Sequence, residues 1–560
     1  MKKIVLYMGL LLASLYSWSQ NAPLPVTDRL EGESYLILTD RSIYVAGENI
    51  RFSVFYRSPG KASETDWSKV GYVELISPAG AAYARTKIEL DSAAGGSLTV
   101  PMDLPSGTYF LKAYTRWMRN YGPSAYTYVS VDVVNPYVKI VLHPDTLLES
   151  TVSLSRSSTA SGIPEALHLE MPGRYEKRSL VNLNFIWDNP LLPLECCVTV
   201  IPEGSLKKQW EYVTVSGQSV SGGRGYIPET RGISITGRIE DDSTGIPVPF
   251  AMVYISLMGD ERGFFCNYAD SSGRFFFTLP DSHKEQDLFI SAHHNEVANL
   301  RINIDHDFCM EPLSLPSYPL QIDTSDEAFI QAMVVNAQIR DQYSVPEEEQ
   351  GMQEASEEDY FYGEPTSVVH FDDFIKLPTM EEYLTEVTPQ VSVRRSNHRK
   401  KLQVLGPHPD LQFYDPLILV DGVAVFDVEA VLGISPGYIE RLEVVEAPFV
   451  RGNLTFGGIL NIISRKGDMG YIDLPSSGLL VNYNMFGTVP SGRQASLVDN
   501  PRMPDVRNTI YWNPHIRIRQ GEEPELTFIS PEVRGNYQVV VRGFDSSGSY
   551  FESSYSFLVD

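Results

Sequence analysis

The residues best suited to catalysis in this sequence are histidines and carboxylates between positions 293 and 307. His293 and Glu296 have the His-x-x-Glu spacing that can supply two ligands to zinc. A catalytic zinc site also needs a third protein ligand, and the nearest candidate, His306, falls within the same short run of predicted strands. We therefore predict a polar strand end here, with a zinc hydrolase as the alternative.

Other catalytic arrangements lack an essential residue. The single Gly-x-Ser-x-Gly match, at residues 433–437, has Pro436 directly after the serine and lies at a predicted helix start rather than after a strand, so no hydrolase triad is predicted. The glycine-rich sequence at residues 222–225 lacks the Lys-Ser or Lys-Thr of a phosphate-binding loop and is predicted to be a flexible linker. We predict that the protein is not an enzyme and uses no cofactor or metal.

The N-terminus has the order of charged, apolar and small residues found in secretion signals. Two lysines at positions 2 and 3 precede an apolar run over residues 4–15, and the small residues Ser17 and Ser19 follow. No later run reaches about 18 apolar residues, so no direct membrane span is predicted. We predict a signal peptide at residues 1–19 and an exported protein that is periplasmic or associated with the outer membrane.

The chain is strongly acidic. Its 560 residues include 45 Lys and Arg against 71 Asp and Glu, which gives a formal net charge of −26. Loss of the two signal lysines would make the charge −28 (−26 − 2). A field of this sign repels nucleic acid and anionic lipid headgroups, so neither is predicted as a partner.

The four cysteines indicate no chemistry of their own. Cys196 and Cys197 are adjacent, and a bridge between neighbours strains the backbone, so we predict two buried apolar side chains. Cys266 and Cys309 fall within one predicted domain and could pair in an oxidising compartment. The sequence leaves a disulfide and two free thiols as open alternatives.

Short runs of alternating apolar and polar residues, broken by Gly, Pro, Asn and Asp, dominate the chain. This pattern predicts a mainly β fold of tandem immunoglobulin-like or transthyretin-like β-sandwiches. In the first of them, Ile50, Phe52 and Val54 alternate onto one face of a strand.

The sequence that leads into this strand has a recognisable pattern. Tyr44, Gly47 and Glu48 form Tyr-x-x-Gly-Glu, which resembles the second macroglobulin domain of the α2-macroglobulin family and implies a β-sandwich over residues 30–136. The covalent trap of that family needs Cys-Gly-Glu-Gln, and no cysteine of this chain is followed by that sequence. We therefore expect a related fold without thioester chemistry.

Residues 138–230 alternate weakly and are predicted to form a second sandwich, whereas residues 231–310 give a clearer pattern. There a turn cluster at 241–245 precedes a strand over 249–255. This stretch resembles the carboxypeptidase regulatory-like domain, a small transthyretin-like sandwich common in Bacteroidetes surface proteins. The resemblance implies a non-catalytic module.

Two segments are predicted to be linkers. Residues 311–365 contain a strongly acidic stretch at 347–359, where like charges oppose collapse, and a partner-binding acidic tract is the alternative. Residues 471–504 are the second predicted linker. Residues 505–560 are predicted to form a closing β-sandwich segment, and their Trp-x-Pro sequence at 512–514 resembles the opening of a late macroglobulin-type β domain.

From residue 366 the pattern changes to mixed α and β. Thr379 and Glu382 have capping-box spacing, and Met380, Leu384 and Val387 predict one apolar helix face. Further strands are predicted at 417–420, 442–445 and 459–463. Three sequences then occur in order: Leu419-Val420-Asp421-Gly422-Val423, Ser435 to Val444, and Phe456 to Lys466. They resemble the plug domain of TonB-dependent receptors and imply one small α/β plug-like domain over residues 366–470.

The resemblance does not extend to a receptor barrel. After Gly467 there are 93 residues (560 − 467), whereas a barrel of about 22 strands needs more than about 200. We therefore expect any barrel to come from another chain. We predict a scaffold or binding protein that engages an outer-membrane barrel or another envelope protein, with a glycan- or peptide-binding accessory protein of an uptake system as the alternative. The residues predicted to contact the partner are Asp421, Gly422, Phe449, Arg451 and Phe456.

Overall fold

The computed structural model describes residues 33–57, 67–90, 94–138, 167–187, 194–206, 225–259, 262–283, 285–317, 320, 327–343, 361–396, 399–467, 469, 477–487, 504–518, 524–544 and 550–560. The chain forms two compact units. Unit 1 comprises residues 1–230, 312–339 and 489–560, and unit 2 comprises residues 231–311 and 340–488. The predicted signal peptide at 1–19, the acidic stretch at 347–359 and residues 222–224 lie outside the described residues.

Unit 1 begins with two packed sheets. One sheet has the strand order β1-β3-β6 and the other β2-β8-β7-β4-β5. Short 3-10 turns follow β7 at Trp117–Asn120 and Pro123–Ala125. The strands are β1 Ser34–Thr39, β2 Ile43–Val45, β3 Asn49–Arg57, β4 Val70–Ile76, β5 Ala82–Glu89, β6 Ala94–Thr99, β7 Gly107–Thr115 and β8 Thr127–Val134.

The predicted alternation along β3 is present. Ile50 and Phe52 are fully buried and Val54 is nearly so, because β3 is the central strand of its sheet and turns this face toward the second sheet. The mainly β fold predicted from the alternating runs is confirmed.

Strand β12 passes through two hydrophobic cores. Strands β9 Leu167–Glu170, β10 Arg174–Tyr175, β11 Leu180–Trp187 and β12 Leu194–Pro202 follow the first sandwich. Cys196 lies in the core between these strands, whereas Cys197 packs with Leu38, Phe55 and Trp512. Both thiols are free and fully buried, as expected for neighbours that point to opposite faces of a strand.

Helix α1 (Glu327–Tyr343) lies inside a segment predicted to be a linker, so that prediction is wrong for these residues. Ile330, Met333 and Ala337 follow the spacing of one helix face and are buried against Ile43 and Val45 of β2. Apolar residues also lie on other faces of the helix, such as Val335 with 50% exposure, and they weaken the periodicity of this stripe in the sequence.

Unit 2 begins with a further pair of sheets, whose strands are β13 Ser234–Asp241, β14 Met252–Met258, β15 Gly263–Tyr268, β16 Arg274–Thr278, β17 Glu285–His293 and β18 Leu300–Ile304. One sheet has the order β16-β13-β18, and the other contains β15-β14-β17. Cys266 and Cys309 are buried thiols that are not joined by a disulfide, so of the two alternatives the structure has the pair of thiols.

The described residues between 367 and 464 contain a mixed five-stranded sheet of order β19-β24-β27-β22-β23, in which β22 and β27 are parallel. Two hairpins, β20–β21 and β25–β26, lie beside it. The strands are β19 Ser367–His370, β20 Val391–Ser396, β21 Arg399–Val404, β22 Leu417–Val420, β23 Val423–Ala424, β24 Ile439–Val445, β25 Phe449–Arg451, β26 Leu454–Phe456 and β27 Ile459–Ser464.

The helices of this region are short. They are α2 Met380–Glu382, which continues as a π turn at Tyr383–Val387, and α3 Val428–Leu432, with 3-10 turns at Phe371–Asp373, Pro409–Gln412 and Pro436–Tyr438. The predicted cap is present, since the Thr379 hydroxyl accepts a hydrogen bond from the Glu382 amide at 3.3 Å. Met380 and Leu384 are fully buried in the core on one face of the sheet.

Both faces of β22 are covered, which explains its uninterrupted apolar sequence. Ile418 and Val420 pack in the core that contains α2. Leu417 and Leu419 pack on the opposite face, together with Tyr254 from β14. Strand β28 (Leu479–Asn484) then pairs with β17, so the prediction of a linker over residues 471–504 is wrong at this strand.

The last four strands complete unit 1. They are β29 Tyr511–Ile518, β30 Glu525–Ile529, β31 Gly535–Phe544 and β32 Tyr550–Val559. The resulting sheets have the orders β10-β32-β31-β12-β29 and β30-β11-β9. Residues 505–560 were predicted as a separate closing segment, and this is corrected: they share one core with β9, β11 and β12. The pairing is non-local, so no local sequence pattern specifies it.

Candidate functional site

Asp421 and Gly422 form the predicted turn between β22 and β23. Their φ angles are 50° and 84°, the two positive values that a type I′ hairpin requires. The Asp421 carboxylate accepts hydrogen bonds from the Ser464 amide and hydroxyl, both at 2.7 Å, and from the Met469 amide at 3.1 Å. Both of its oxygens are therefore engaged in fastening the turn to the end of β27.

Phe449, Arg451 and Phe456 lie together on the hairpin formed by β25 and β26, where the two phenylalanines are directly paired. Arg451 Nε donates to the Phe264 carbonyl at 2.9 Å. Its guanidinium carbon lies 4.8 Å from the ring centre of Phe265, within the range of a cation–π interaction. The structure thus brings three predicted site residues together, while Asp421 and Gly422 lie at the other end of the sheet.

The hairpin packs into an aromatic cluster within unit 2. The ring centres of Tyr254 and Phe426 are 4.1 Å apart, and those of Phe264 and Phe456 are 6.0 Å apart. Aromatic pairs at such separations add to the free energy of burial. Partner binding by Phe449, Arg451 and Phe456 stays a prediction, because their described contacts are internal. The cluster comprises Tyr254, Phe264, Phe361, Phe426, Phe449 and Phe456.

The thiol beside the aromatic cluster is not activated. Cys266 Sγ donates to the Arg451 carbonyl at 3.1 Å. Burial raises the pKa of Cys266 to about 12, so the nucleophilic thiolate is scarcely populated near neutral pH. The side chain therefore contributes packing to the junction between β15 and β25.

Large apolar side chains are exposed at one end of the five-stranded sheet. They are Leu405, Phe413, Tyr414 and Val450, with exposed fractions of 38, 70, 45 and 64%. Leu405, Phe413 and Tyr414 precede β22 in the chain, and Val450 follows β24. Strand β22 is parallel to β27 and β24 is antiparallel to β27, so the start of β22 and the end of β24 lie at the same end of the sheet. A hydrogen bond of 3.0 Å from the Gly457 amide to the Asp415 carbonyl joins the two segments. We call these four residues the apolar loop end.

The opposite end of the sheet is organised by an ion pair. Arg465 contacts both carboxylate oxygens of Asp372, at 2.6 and 2.9 Å, and its Nε donates to the Gly437 carbonyl at 3.1 Å. The hydrogen bonds from Arg465 lower the pKa of Asp372. Phe374 and Ile375 are exposed on the same turn, by 44 and 81%.

The candidate zinc ligands His293 and Glu296 lie at the end of a strand and in the turn that follows it. His293 ends β17, and burial lowers its pKa. The amide of Glu296 donates to His294 Nδ1 at 3.2 Å, a local turn contact. Within the described ranges, no group of three His, Cys, Asp or Glu side chains is positioned to hold a metal ion.

The Tyr-x-x-Gly-Glu sequence of unit 1 forms a buried polar network. Arg41 is 2% exposed, and its Nη2 lies 3.2 Å from Glu48 Oε2. The Tyr44 hydroxyl donates to Asp40 Oδ1 at 2.7 Å. Burial, reinforced by the Asp40 carboxylate, raises the pKa of Tyr44 well above its ordinary value. We call these four residues the Asp40 network.

The Asp40 network holds distant segments together. Thr509 Oγ1 donates to Asp40 Oδ2 at 2.5 Å, and Asn508 Nδ2 donates to Glu48 Oε1 at 2.6 Å. Asn508 Nδ2 also lies 3.3 Å from the carbonyl of Met333 on α1. These contacts connect the first sandwich, the helix and the C-terminal strands, so we assign the motif a structural role.

The hairpin β20–β21 carries a concentration of charge that motif comparison does not reveal. Five basic side chains lie between positions 394 and 401 of this acidic chain, and a count of charge in short windows would have found them. We call this element the cationic hairpin: Arg394, Arg395, Arg399, Lys400 and Lys401.

No family model and no curated protein matches the chain. Among solved structures, trypsin-activated alpha-2-macroglobulin from Escherichia coli is 9% identical with a TM-score of 0.23, and the alignment covers 94% of this chain and 41% of that chain. Salmonella alpha-2-macroglobulin reacted with methylamine has the same identity and TM-score, with coverage of 94 and 39%. The Yersinia pseudotuberculosis adhesin InvE is 10% identical with a TM-score of 0.14, covering 49% of this chain and 59% of that chain.

The comparisons show no family. This chain spans about two-fifths of the alpha-2-macroglobulin chains that it matches, and TM-scores of this size do not establish a common fold. Within the described residues, no helix combines the length and the apolar character needed to cross a membrane.

Proposed function

We propose that the protein is a non-catalytic, exported scaffold of the cell envelope that binds a protein partner through the plug-like region of unit 2. The partner is an outer-membrane barrel or another envelope protein. The carboxypeptidase regulatory-like character of the first part of unit 2 and the Bacteroidetes-type envelope location belong to the same proposal.

The observation that carries the proposal is the apolar loop end. A lone exposed leucine or valine is ordinary on a protein surface, but adjacent large apolar side chains mark interaction sites more often. Phe413 and Tyr414 are neighbours in sequence, and both are exposed on a segment tied by hydrogen bonding to the loop after β24. Aromatic side chains supply much of the binding energy at protein interfaces.

The position of this surface also supports the proposal. The residues first predicted to bind a partner, Phe449 and Phe456, are packed in the aromatic cluster and hold the hairpin in place. Val450 lies between them in sequence and remains exposed. Packing of Phe449 and Phe456 therefore fixes the hairpin that carries the exposed Val450 side chain. Such pre-organisation lowers the entropy cost of association.

The test uses crosslinking in the native cell followed by purification of the full chain. The variant Phe413→Ser/Tyr414→Ser removes the exposed aromatic pair, and we expect recovery of the partner to fall by about tenfold or more, as for hot-spot residues. Phe374→Ser/Ile375→Ser is the matched control, because it changes two adjacent exposed apolar residues at the opposite end of the sheet. The control should leave recovery within about twofold of the unmodified protein.

Three outcomes would reject the proposal. The first is a chain recovered without any crosslinked protein, and the second is an equal loss in both variants. The third is a loss confined to Phe374→Ser/Ile375→Ser, which would place the binding surface at the other end of the sheet. Circular dichroism of both variants confirms that the folded content is unchanged.

A further inference from the structure

The cationic hairpin has one face that is part of a hydrophobic core. Directly paired residues of an antiparallel hairpin share a face, and Val391 pairs with Val404 while Val393 pairs with Leu402. Val391, Leu402 and Val404 are buried in the core beside α2. The next pair along this face, Arg395 with Lys400, is therefore directed toward the helices.

On this packed face, Lys400 lies close to two carboxylates. Lys400 Nζ lies 2.8 Å from Glu381 and 3.8 Å from Glu429, which belong to α2 and α3. The hydrogen bond from Lys400, together with the field of Arg395, lowers the pKa of Glu381. Lys400 thus serves the attachment of the hairpin to its own unit, whereas Arg395 is exposed and acts on Glu381 only through its field.

The opposite face carries three cations with little compensation. Arg394 pairs with Lys401, and Arg399 lies two residues from Lys401 on the same face. Lys401 has one exposed ion pair, 3.3 Å from Asp415, a class of interaction worth little in water. Among the described residues, no ion pair is formed by Arg394 or Arg399.

This arrangement lowers the stability of the hairpin. Like charges directly opposite each other destabilise a strand pair, and Arg394 and Lys401 stand in that relation. The face points away from the core, so its packing does not require long cationic side chains. Uncharged β-forming residues would serve the fold better at these positions.

We propose that the outer face of the cationic hairpin binds an acidic peptide segment of a partner protein. Arginine forks match carboxylates with two parallel hydrogen bonds, and side chains on one face of the hairpin are spaced for successive carboxylates of an extended chain.

The surroundings of the face favour a narrow ligand. Asp415, 77% exposed, contacts Lys401 on this face, while Glu429 and Glu381, 58 and 37% exposed, lie beside Lys400 on the packed face of the same hairpin. An anionic membrane is broad and would meet these carboxylates as well as the cations, in a chain of net charge −26. A single acidic strand can follow the cations alone. This site is separate from the apolar loop end and does not depend on it.

The experiment measures fluorescence anisotropy of a labelled glutamate-rich peptide mixed with the full chain. Arg394→Ser/Lys401→Ser removes the pair on the outer face, and we expect the dissociation constant to rise by about tenfold or more. Arg395→Ser/Lys400→Ser is the matched control, since it removes the same charge from the directly adjacent cross-strand pair on the packed face. We expect the control to stay within about twofold, provided that its thermal unfolding shows a folded chain.

Added salt should weaken binding to the unmodified chain more than binding to the outer-face variant, because the lost contacts are ionic. Failure of the peptide to bind, or an equal loss in both variants, overturns the proposal. Binding to vesicles rich in phosphatidylglycerol but not to the peptide also overturns it and identifies a membrane surface. Inorganic phosphate that displaces the peptide completely at equal concentration would show a simple anion site and reject peptide recognition.

Discussion

The two units hold sequence-distant segments together by different interactions, polar in unit 1 and aromatic in unit 2. In unit 1 the Asp40 network joins strands and a helix through buried charges and directed hydrogen bonds. In unit 2 the aromatic cluster joins a hairpin to a sheet through ring packing. A buried charge that loses its partner cannot regain solvation, whereas an aromatic core that loses atoms can partly collapse. The polar junction should therefore be the less tolerant of substitution.

The largest effect is expected at the Asp40 network. Glu48→Ala leaves the Arg41 guanidinium buried without its main counter-charge, and loss of one partner of a buried pair costs about 3–5 kcal/mol. Denaturant unfolding, with hydrogen exchange of peptides from β3 and β29, measures the effect in unit 1. Glu203→Ala, at an exposed position of the same unit, should stay within about 0.5 kcal/mol. A cost below about 1 kcal/mol for Glu48→Ala would contradict the comparison.

A smaller effect is expected in the aromatic cluster. Phe264 is fully buried at its centre, and Phe264→Leu keeps an apolar side chain while losing ring contacts, which should cost about 1–2 kcal/mol. Hydrogen exchange of peptides from β15 and β25 provides the local measurement. The matched control is Phe276→Leu, since Phe276 is 37% exposed on the neighbouring strand β16. If both substitutions cost the same, the cluster does not stabilise unit 2.

The contrast between the junctions also limits what the sequence can predict. The strand at 417–420 was predicted with its observed bounds, because an uninterrupted apolar run between turn residues is a local signal. The Thr379 cap and the Asp421-Gly422 turn are local in the same sense. Each depends on residues within a few positions of one another.

Long-range pairing had no such signal. Nothing around Trp512 indicates that its strand pairs with the strand of Cys196, and nothing around Leu479 indicates a partner in β17. The candidate site was affected in the same way, since Phe449 and Phe456 were recognised as special but their partners in β14 and β15 were not. Contacts between segments far apart in sequence decide which side chains remain on the surface.

Each unit contains a histidine whose pKa is lowered by burial, His515 in unit 1 and His293 in unit 2. Burial lowers the pKa of His515, which lies in unit 1, so above its ordinary value near 6.5 the residue is neutral in both the folded and unfolded states. As the pH falls below this value, the unfolded state takes up a proton first and unit 1 loses stability. His515→Gln should flatten this dependence in β29 when exchange is compared between pH 7.5 and 5.5. An unchanged pH profile would count against the assignment.

The smallest effect is expected at the cationic hairpin and has the opposite sign. Arg394→Ser/Lys401→Ser removes like charges that face each other, so the hairpin should gain about 0.2–1 kcal/mol of stability, less the lower strand propensity of serine. Hydrogen exchange of a peptide that spans β20 and β21 measures it. A clear loss of stability would show that these side chains support the fold and would weaken the case for a binding role.

The position of β12 between β29 and β31 has a consequence for synthesis. A polypeptide that emerges from its N-terminus onward presents β12 with two unpaired edges until residues 511–544 have appeared. Unpaired strand edges are templates for aggregation, and closure of so long a loop slows folding. All the strands of unit 2 are synthesised after β12 and before β29. Unit 2 can therefore fold before the C-terminal strands of unit 1 have been made.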